Sequence, residues 1–431
     1  MLSALLVGWG AAHAQTKIEF EEYDLDNGLH VILHEDHSTP IVAVTVLYHV
    51  GSKDEKTGRT GFAHFFEHLM FEGSENIERG EYSKIVQSNG GALNANTSQD
   101  RTFYYEILPS NQLELGLWLE SERMLHATVD IAGVETQREV VKEEKRMRID
   151  NQPYMSFMEN MFSRAYTKHP YSHTPIGSME DLNAAEEADF QNFYKTYYAP
   201  NNATLSIAGD FDKAELKEWI NKYFGSIPKG NEITRNKIVE PALAGPIVDT
   251  VYDNIQLPGV FIGYRIPPQT EDDSYAIGML TTLLSDGQSS RFYKSIVDNK
   301  KQAVAVQAFP FDLEDGGLFI TLGIANMGTE LTDLMASIDE EITKVRNTQI
   351  GEQEYTRVLN QLENDFVSSN SSMAGIAESL ADYHVYFGDA NLVNTEIEKY
   401  RAITAEDLKA AANKYLTEEN RVVLYYLPKQ Q

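Results

Sequence analysis

The chain has 431 residues, with 65 acidic against 36 basic side chains, a net charge of −29 and no cysteine. That balance argues against a nucleic-acid backbone as partner and disfavours anionic membrane surfaces, while basic or extended peptides remain acceptable ligands. Without cysteine there are no disulfides, thiolate metal sites or thiol nucleophiles, and 42% hydrophobic with 10% aromatic content suits an ordinary globular protein of about two to three domains.

The N-terminus differs from the rest. Met1 to Ala14 carries an apolar stretch (Leu2, Leu5, Leu6, Val7, Trp9) ending in Ala12-His13-Ala14, the shape of a signal-peptide core and A-x-A cleavage site with Gln15 as mature start. The basic leading region is missing. The segment therefore reads as a shortened signal for export to the periplasm or beyond, the alternative being a frayed tail. No later run approaches the roughly 20 apolar residues of a membrane helix, so no membrane span is expected.

Leu29, Val31 and Leu33 alternate with His30, Ile32 and His34 as in a half-buried strand, and Ile41–Val50 forms a second, more apolar one. A largely buried helix is predicted from about Gly61 to Phe71. Another near Tyr82–Val86 stops at Asn89-Gly90-Gly91. Strand patterns cover Ala92–Thr97 and Thr102–Leu108, and helical ones Leu113–Leu125, Val134–Ile149 and Phe190–Tyr198. Thr204–Ala208 reads as a strand. Asp212 with Glu215 offers a capping box for a helix ending before Gly225.

Residues 226–246 are rich in Gly, Pro, Asn and charge and read as a linker. Beyond it the pattern restarts. Asp189, Tyr197 and Asn202 reappear as Asp407, Tyr415 and Asn420 at a constant offset of 218, which also lays the strand Ile41–Gly51 over Gly259–Gln269. The expectation is two α+β halves related by duplication, over 15–225 and 247–431. At that offset His64 falls on Thr282 and His68 on Asp286, so the second half lacks the metal motif described next.

His64-Phe65-Phe66-Glu67-His68 places two imidazoles and a carboxylate at i, i+4 and i+3, on one face of a helix. Neutral imidazole nitrogens one turn apart suit Zn²⁺, and Glu67 is placed to take a proton from a zinc-bound water. The order inverts the commoner H-E-x-x-H signature of zinc peptidases. Catalytic zinc needs a third protein ligand. On the helix Val134–Ile149, Glu144 falls in the middle of a stripe formed by Val140, Val141 and Met147, where an unpaired carboxylate is costly. It is preferred to Glu143, which shares a solvated face with Glu139 and Arg146; the bland reading is that Glu144 pairs with Arg148 or another base. The remaining histidines, such as His34, His37, His126 and His173, lack helical metal spacing and read as surface or packing residues.

His64-Phe65-Phe66-Glu67-His68 with Glu144 in Val140-Val141-Lys142-Glu143-Glu144 resembles the pitrilysin/insulinase family of zinc peptidases, which includes the mitochondrial processing peptidases. Gly61-Phe62-Ala63, Met70-Phe71-Glu72-Gly73-Ser74, Gly90 to Thr97, His169-Pro170-Tyr171 and Ile176-Gly177 carry the same resemblance. It implies an α+β, processing-peptidase-like fold of two homologous halves, each a mainly antiparallel sheet with helices packed on it. It also implies one Zn²⁺ per chain on His64, His68 and Glu144, Glu67 as general base, and Asn94-Ala95 on an edge strand that takes an extended peptide.

Two positions depart from the family pattern. Gln137 stands seven residues before Glu144, where relatives often have a second glutamate. In the second half Arg291 matches a substrate-holding arginine, but the tyrosine expected 13 residues later is Val304, which cannot donate a hydrogen bond. The expected protein is therefore a zinc metalloendopeptidase acting on unfolded or short peptides, paired with a second copy or a homologous chain that completes the site. The rival readings are a non-catalytic binding or assembly subunit with structural zinc, which has no need of Glu67, and hydrolysis of a small non-peptide substrate, which the length and duplicated halves disfavour.

Overall fold

The computed structural model describes residues 17–235 and 237–429; the leader, Met1–Ala14, lies outside the described residues. The first half runs β1 (Glu21–Asp24), β2 (His30–Glu35), β3 (Ile41–Tyr48), α1 (Phe62–Leu69), α2 (Tyr82–Ser88), β4 (Ala92–Thr97), β5 (Thr102–Pro109), α3 (Leu113–His126), α4 (Ile131–Lys145), α5 (Phe157–Ala165), α6 (Met179–Ala184), α7 (Glu187–Tyr197), β6 (Ala203–Gly209) and α8 (Lys213–Phe224). The second runs β7 (Ile247–Asp253), β8 (Gly259–Arg265), α9 (Asp273–Ser285), β9 (Ala303–Phe311), β10 (Leu318–Ala325), α10 (Leu331–Asn347), α11 (Glu352–Ser369), α12 (Met373–Asp382), α13 (Leu392–Ala402), α14 (Ala405–Tyr415) and β11 (Arg421–Pro428).

Each half is a sheet with helices on it, as the α+β expectation has it. The first sheet has the order β1-β2-β6-β3-β5-β4 and the second β7-β11-β8-β10-β9. Only the β2/β6 and β11/β7 pairs are parallel. The two halves also repeat local chemistry. Asp189 and Asp407 each accept the backbone N–H three residues upstream, closing equivalent capping boxes on α7 and α14. Asn202 donates to the Tyr197 carbonyl and Asn420 to the Tyr415 carbonyl, both at 2.9 Å. Short-range bonds like these survive divergence because one side chain satisfies backbone groups that the helix end leaves open.

Several local expectations need correction. Asp212 does cap α8, accepting from Ala214 and Glu215, but Glu215 does not return a bond, so the box is half formed. The strand β2 is buried on both faces, with Leu33 in the first core and Ile32 in a second cluster. The second cover is α12 from the other half: Ile376, Ala377 and Leu380 pack on Ile32, Ala43 and Ala208. The exchange is reciprocal. α5 of the first half lays Met161, Phe162 and Ala165 on Phe261, Ile320 and Leu424 of the second sheet. Periodicity within one segment could not show this, because the covering surface arrives from hundreds of residues away.

Charges close the junction between the halves. Lys53 lies 2.9 Å from Asp100 and 2.6 Å from Glu314, and His49 Nε2 is 2.7 Å from the same Glu314 oxygen. Burial pushes the Glu314 carboxyl up, but the hydrogen bond and charge of His49, then the Lys53 ammonium, outweigh it and hold the group at about 2. A depressed carboxylate stabilises the fold above its unfolded pKa and loses that contribution as pH falls through the folded value. The junction is therefore expected to weaken from about pH 4.5 down to about pH 2. Glu314→Gln should cost about 3 kcal/mol at neutral pH and flatten the acid limb of stability. Calorimetry across that range checks both; coincident curves for the two proteins would remove the role.

Candidate metal centre

α1 is fixed at its start and along its back. The buried carboxylate of Glu55 accepts from the N–H groups of Gly61 at 2.9 Å and Ala63 at 2.8 Å, supplying the cap that the helix's own residues lack. His173 Nε2 stands 2.9 Å from the same carboxylate. The chain at Ile176-Gly177 crosses this start so closely that a Cβ on Gly177 would sit 2.5 Å from the Gly61 nitrogen, at a φ of +70°. Gly177→Ala should thus lower stability by about 2 kcal/mol and disturb α1, read by urea denaturation together with metal content. Behind, Phe62, Phe65 and Phe66 pack on Phe190 and Phe193 of α7 with ring centroids 4.5–5.2 Å apart. With those positions committed to the core, His64, Glu67 and His68 must face the other way.

There they meet α4. Glu144 Oε2 is 3.5 Å from His64 Nε2 and 3.1 Å from His68 Nε2, with the two rings 4.9 Å apart and nearly perpendicular. Arg148 holds the other oxygen at 2.8 Å. Three ligand-capable atoms thus lie within 4.8 Å of one another. Burial, with His68 adding, pushes His64 down to about 4, so its ring is neutral at physiological pH. Glu144 is held below the usual carboxylate range, first by His68 and then by the charges around it. Two imidazoles and an ionised carboxylate are a donor set that suits Zn²⁺, and contacts of 3.1–3.5 Å match the edge of a tetrahedron with bonds of about 2.0–2.1 Å.

Glu67 stands beside this cluster without belonging to it. Thr97 donates to its Oε2 at 2.6 Å, and burial raises the carboxyl above its ordinary value. Thr97 ends β4, whose sole neighbour in the sheet is β5, so the outer edge of β4 is unpaired among the described residues. Ala95 packs towards the core and Asn94 is exposed. The open cleft, of about 370 Å³, is lined by His64, Thr97, Gln99, Glu144 and Met158, and by Phe311 from the second half.

Glu144 does not lie in the apolar stripe expected of Val140, Val141 and Met147. Val140 is 44% and Met147 60% exposed; the inward face of α4 is instead Val134, Arg138, Val141 and Lys145. Glu144 adjoins that face through Val141 alone. The helix also ends at Lys145, and a wider π-type turn covers Arg146–Asp150. The pairing with Arg148 and the approach to both histidines occur together, because a carboxylate has two oxygens to share. Gln137 donates through its amide to Glu72, where a glutamate would set two carboxylates against each other. Arg291 is outside the cluster, with its guanidinium forked onto Glu354 at 3.0 and 2.7 Å. Val304 is half exposed at a bulge in the edge strand β9. Thr97 and Glu55, both missed from sequence, reach α1 through contacts no single-segment pattern encodes.

Residues 30–178 match the family model for insulinase (peptidase family M16), and residues 185–362 match the peptidase M16 inactive domain. The zinc protease PqqE of Helicobacter pylori is 32% identical over 432 residues, covering 99% of this chain and 97% of that protein. The mitochondrial-processing peptidase subunit beta of Blastocladiella emersonii is 24% identical over 408 residues, covering 93% and 87%. A crystal structure of a protease from Helicobacter pylori superimposes with a TM-score of 0.91 at 30% identity, covering 96% of this chain and all of that one. The chain belongs to the insulinase, or M16, peptidase family.

Proposed function

We propose that this chain is a zinc metalloendopeptidase that hydrolyses unfolded or short peptides. The observation that carries the reading is Glu67, partly buried beside the His64–His68–Glu144 cluster and facing a strand edge unpaired among the described residues. A purely structural metal needs neither a free carboxylate nor an open edge. An extended peptide adds to β4 through backbone hydrogen bonds at Asn94-Ala95, which brings its scissile bond to the cleft. His64, His68 and Glu144 would hold Zn²⁺, which would supply Lewis acidity to the scissile carbonyl and to water. Glu67 takes the proton from the attacking water and hands it to the leaving amine; its raised pKa suits a group that must both accept and return a proton. Thr97 fixes which way the carboxylate points. Arg148 neutralises the Glu144 oxygen turned away from the histidines.

The division of labour follows the duplication, with the zinc-bearing domain at 15–225 and its metal-free counterpart at 247–431. Val304 offers no hydroxyl at its position and Arg291 is tied to Glu354, so a homologous chain that carries those groups free supplies the missing contacts to the substrate carbonyl. The leader directs the protein to the periplasm or outside. The test uses unstructured peptides with the zinc-depleted and zinc-restored chain, alone and mixed with a homologous chain. Cleavage should return with Zn²⁺ and be absent from His68→Ala. A zinc-loaded chain that binds peptides in every mixture without cutting them would leave the non-catalytic assembly role and overturn the enzyme reading.

A further inference from the structure

At the opposite margin of the first sheet from β4, a second group of histidines and carboxylates spans the two halves. Glu22 and Asp24 lie on β1 and His30 on β2, where Asp24 is paired directly with His30. His384 comes from the turn after α12, the helix that covers this sheet from the second half. The His30 and His384 rings stack in parallel with centroids 3.4 Å apart. Asp24 sits 2.8 Å from His30 Nδ1, and in the tautomer with its proton on that nitrogen Nε2 is free to ligate. That Nε2 atom is buried with no hydrogen-bond partner, and 3.4 Å away it faces Glu22 Oε2. In that tautomer Nε2 and the Glu22 oxygen are two acceptors facing each other, an arrangement that a cation between them relieves.

We propose that Glu22, His30 and His384 bind a second divalent cation of the zinc type, a structural tie between the first sheet and the second half. One ligand atom from each residue lies within 4.8 Å of the others, the same closeness and the same two-imidazole, one-carboxylate set as at His64, His68 and Glu144. The 3.4 Å spacing of nitrogen and oxygen falls within the 3.1–3.5 Å of that first cluster. Asp24 behind His30 is the carboxylate that orients a metal-binding imidazole and raises its basicity. Ligation by both rings turns one out of the stack. Glu22 is exposed, so water can complete the coordination.

The test is made in His64→Ala/His68→Ala, which removes the first cluster and any activity, so its outcome is independent of the peptidase reading. Titration of Zn²⁺ against a chromophoric chelator should show one bound ion per chain. Binding should weaken at least tenfold on adding either His384→Ala or the exposed, fold-neutral change Glu22→Gln, and Co²⁺ should give the visible bands of a low-coordinate site. Zn²⁺ should also raise the melting temperature of the double variant but not of the variant lacking His384. An absence of bound Zn²⁺, or binding unchanged by both added substitutions, overturns the proposal; His30 would then carry both ring protons and act as the cation itself.

Discussion

Glu67→Gln is expected to lower the turnover number for peptide hydrolysis by about 10²- to 10⁴-fold, the range a positioned general acid–base group supplies. The amide has the shape of the carboxylate and still offers an oxygen to the Thr97 hydroxyl, so the 2.6 Å contact and the packing of α1 should persist. What disappears is the capacity to take a proton from water. Glu67 is not among the three clustered atoms, so zinc content should be unchanged. Turnover and metal content are measured on the same preparation, with peptide affinity as a third readout. Equal turnover in the two proteins would sink the general-base assignment, whereas joint loss of metal and turnover would recast Glu67 as part of the metal set.

The second large effect lies beneath α1, in a charge network without solvent access. Arg123 is fully buried with its guanidinium over the rings of Phe71, Tyr82 and Tyr104, 4.3–4.9 Å from their centroids. It pairs with Glu120 and stands 3.5 Å from Glu106, both fully buried, and its Nε reaches the Met70 carbonyl just past the end of α1. Burial, with the Glu120 charge adding, pushes the Glu106 carboxyl well above its usual range, and the arginine acts against that rise. Arg123→Met keeps much of the volume but leaves the buried Glu106–Glu120 pair with no cation. The expected loss is about 3–5 kcal/mol, read by urea unfolding. Adding Glu106→Gln and Glu120→Gln should recover most of it, because neutral amides carry far less desolvation cost. A single variant as stable as the parent would show that the network is not holding the helix.

The sequence was most legible where an interaction is local. The faces of α1 follow from helical period, since five aromatic or aliphatic side chains must be buried and two histidines and a glutamate are left together. The stop at Asn89-Gly90-Gly91 has Gly90 at a φ of +79°. The matched boxes on α7 and α14 are chemistry within a few residues, which is why an offset of 218 could be followed. Glu144 lies between the two cases: it was selected for a stripe that Val140 and Met147 do not form, yet the structure sets it against both histidines. Glu120 stands one helical turn from Arg123 on α3, whereas Glu106 on β5 meets that cation only through packing.

By itself the sequence determined the class of chemistry: an imidazole pair with a carboxylate on one helical turn, a duplicated scaffold, and an acidic composition. Those are properties of spacing and composition, which the chain carries before it folds. Tertiary structure alone decided which partners those groups have. The Thr97 hydroxyl on Glu67, the unpaired edge of β4, the exchange of α5 and α12 between sheets, and the meeting of His30 with His384 all join residues distant along the chain. Their positions follow from burial of two sheets that each need a second cover, and one segment's periodicity cannot say which remote surface will provide it.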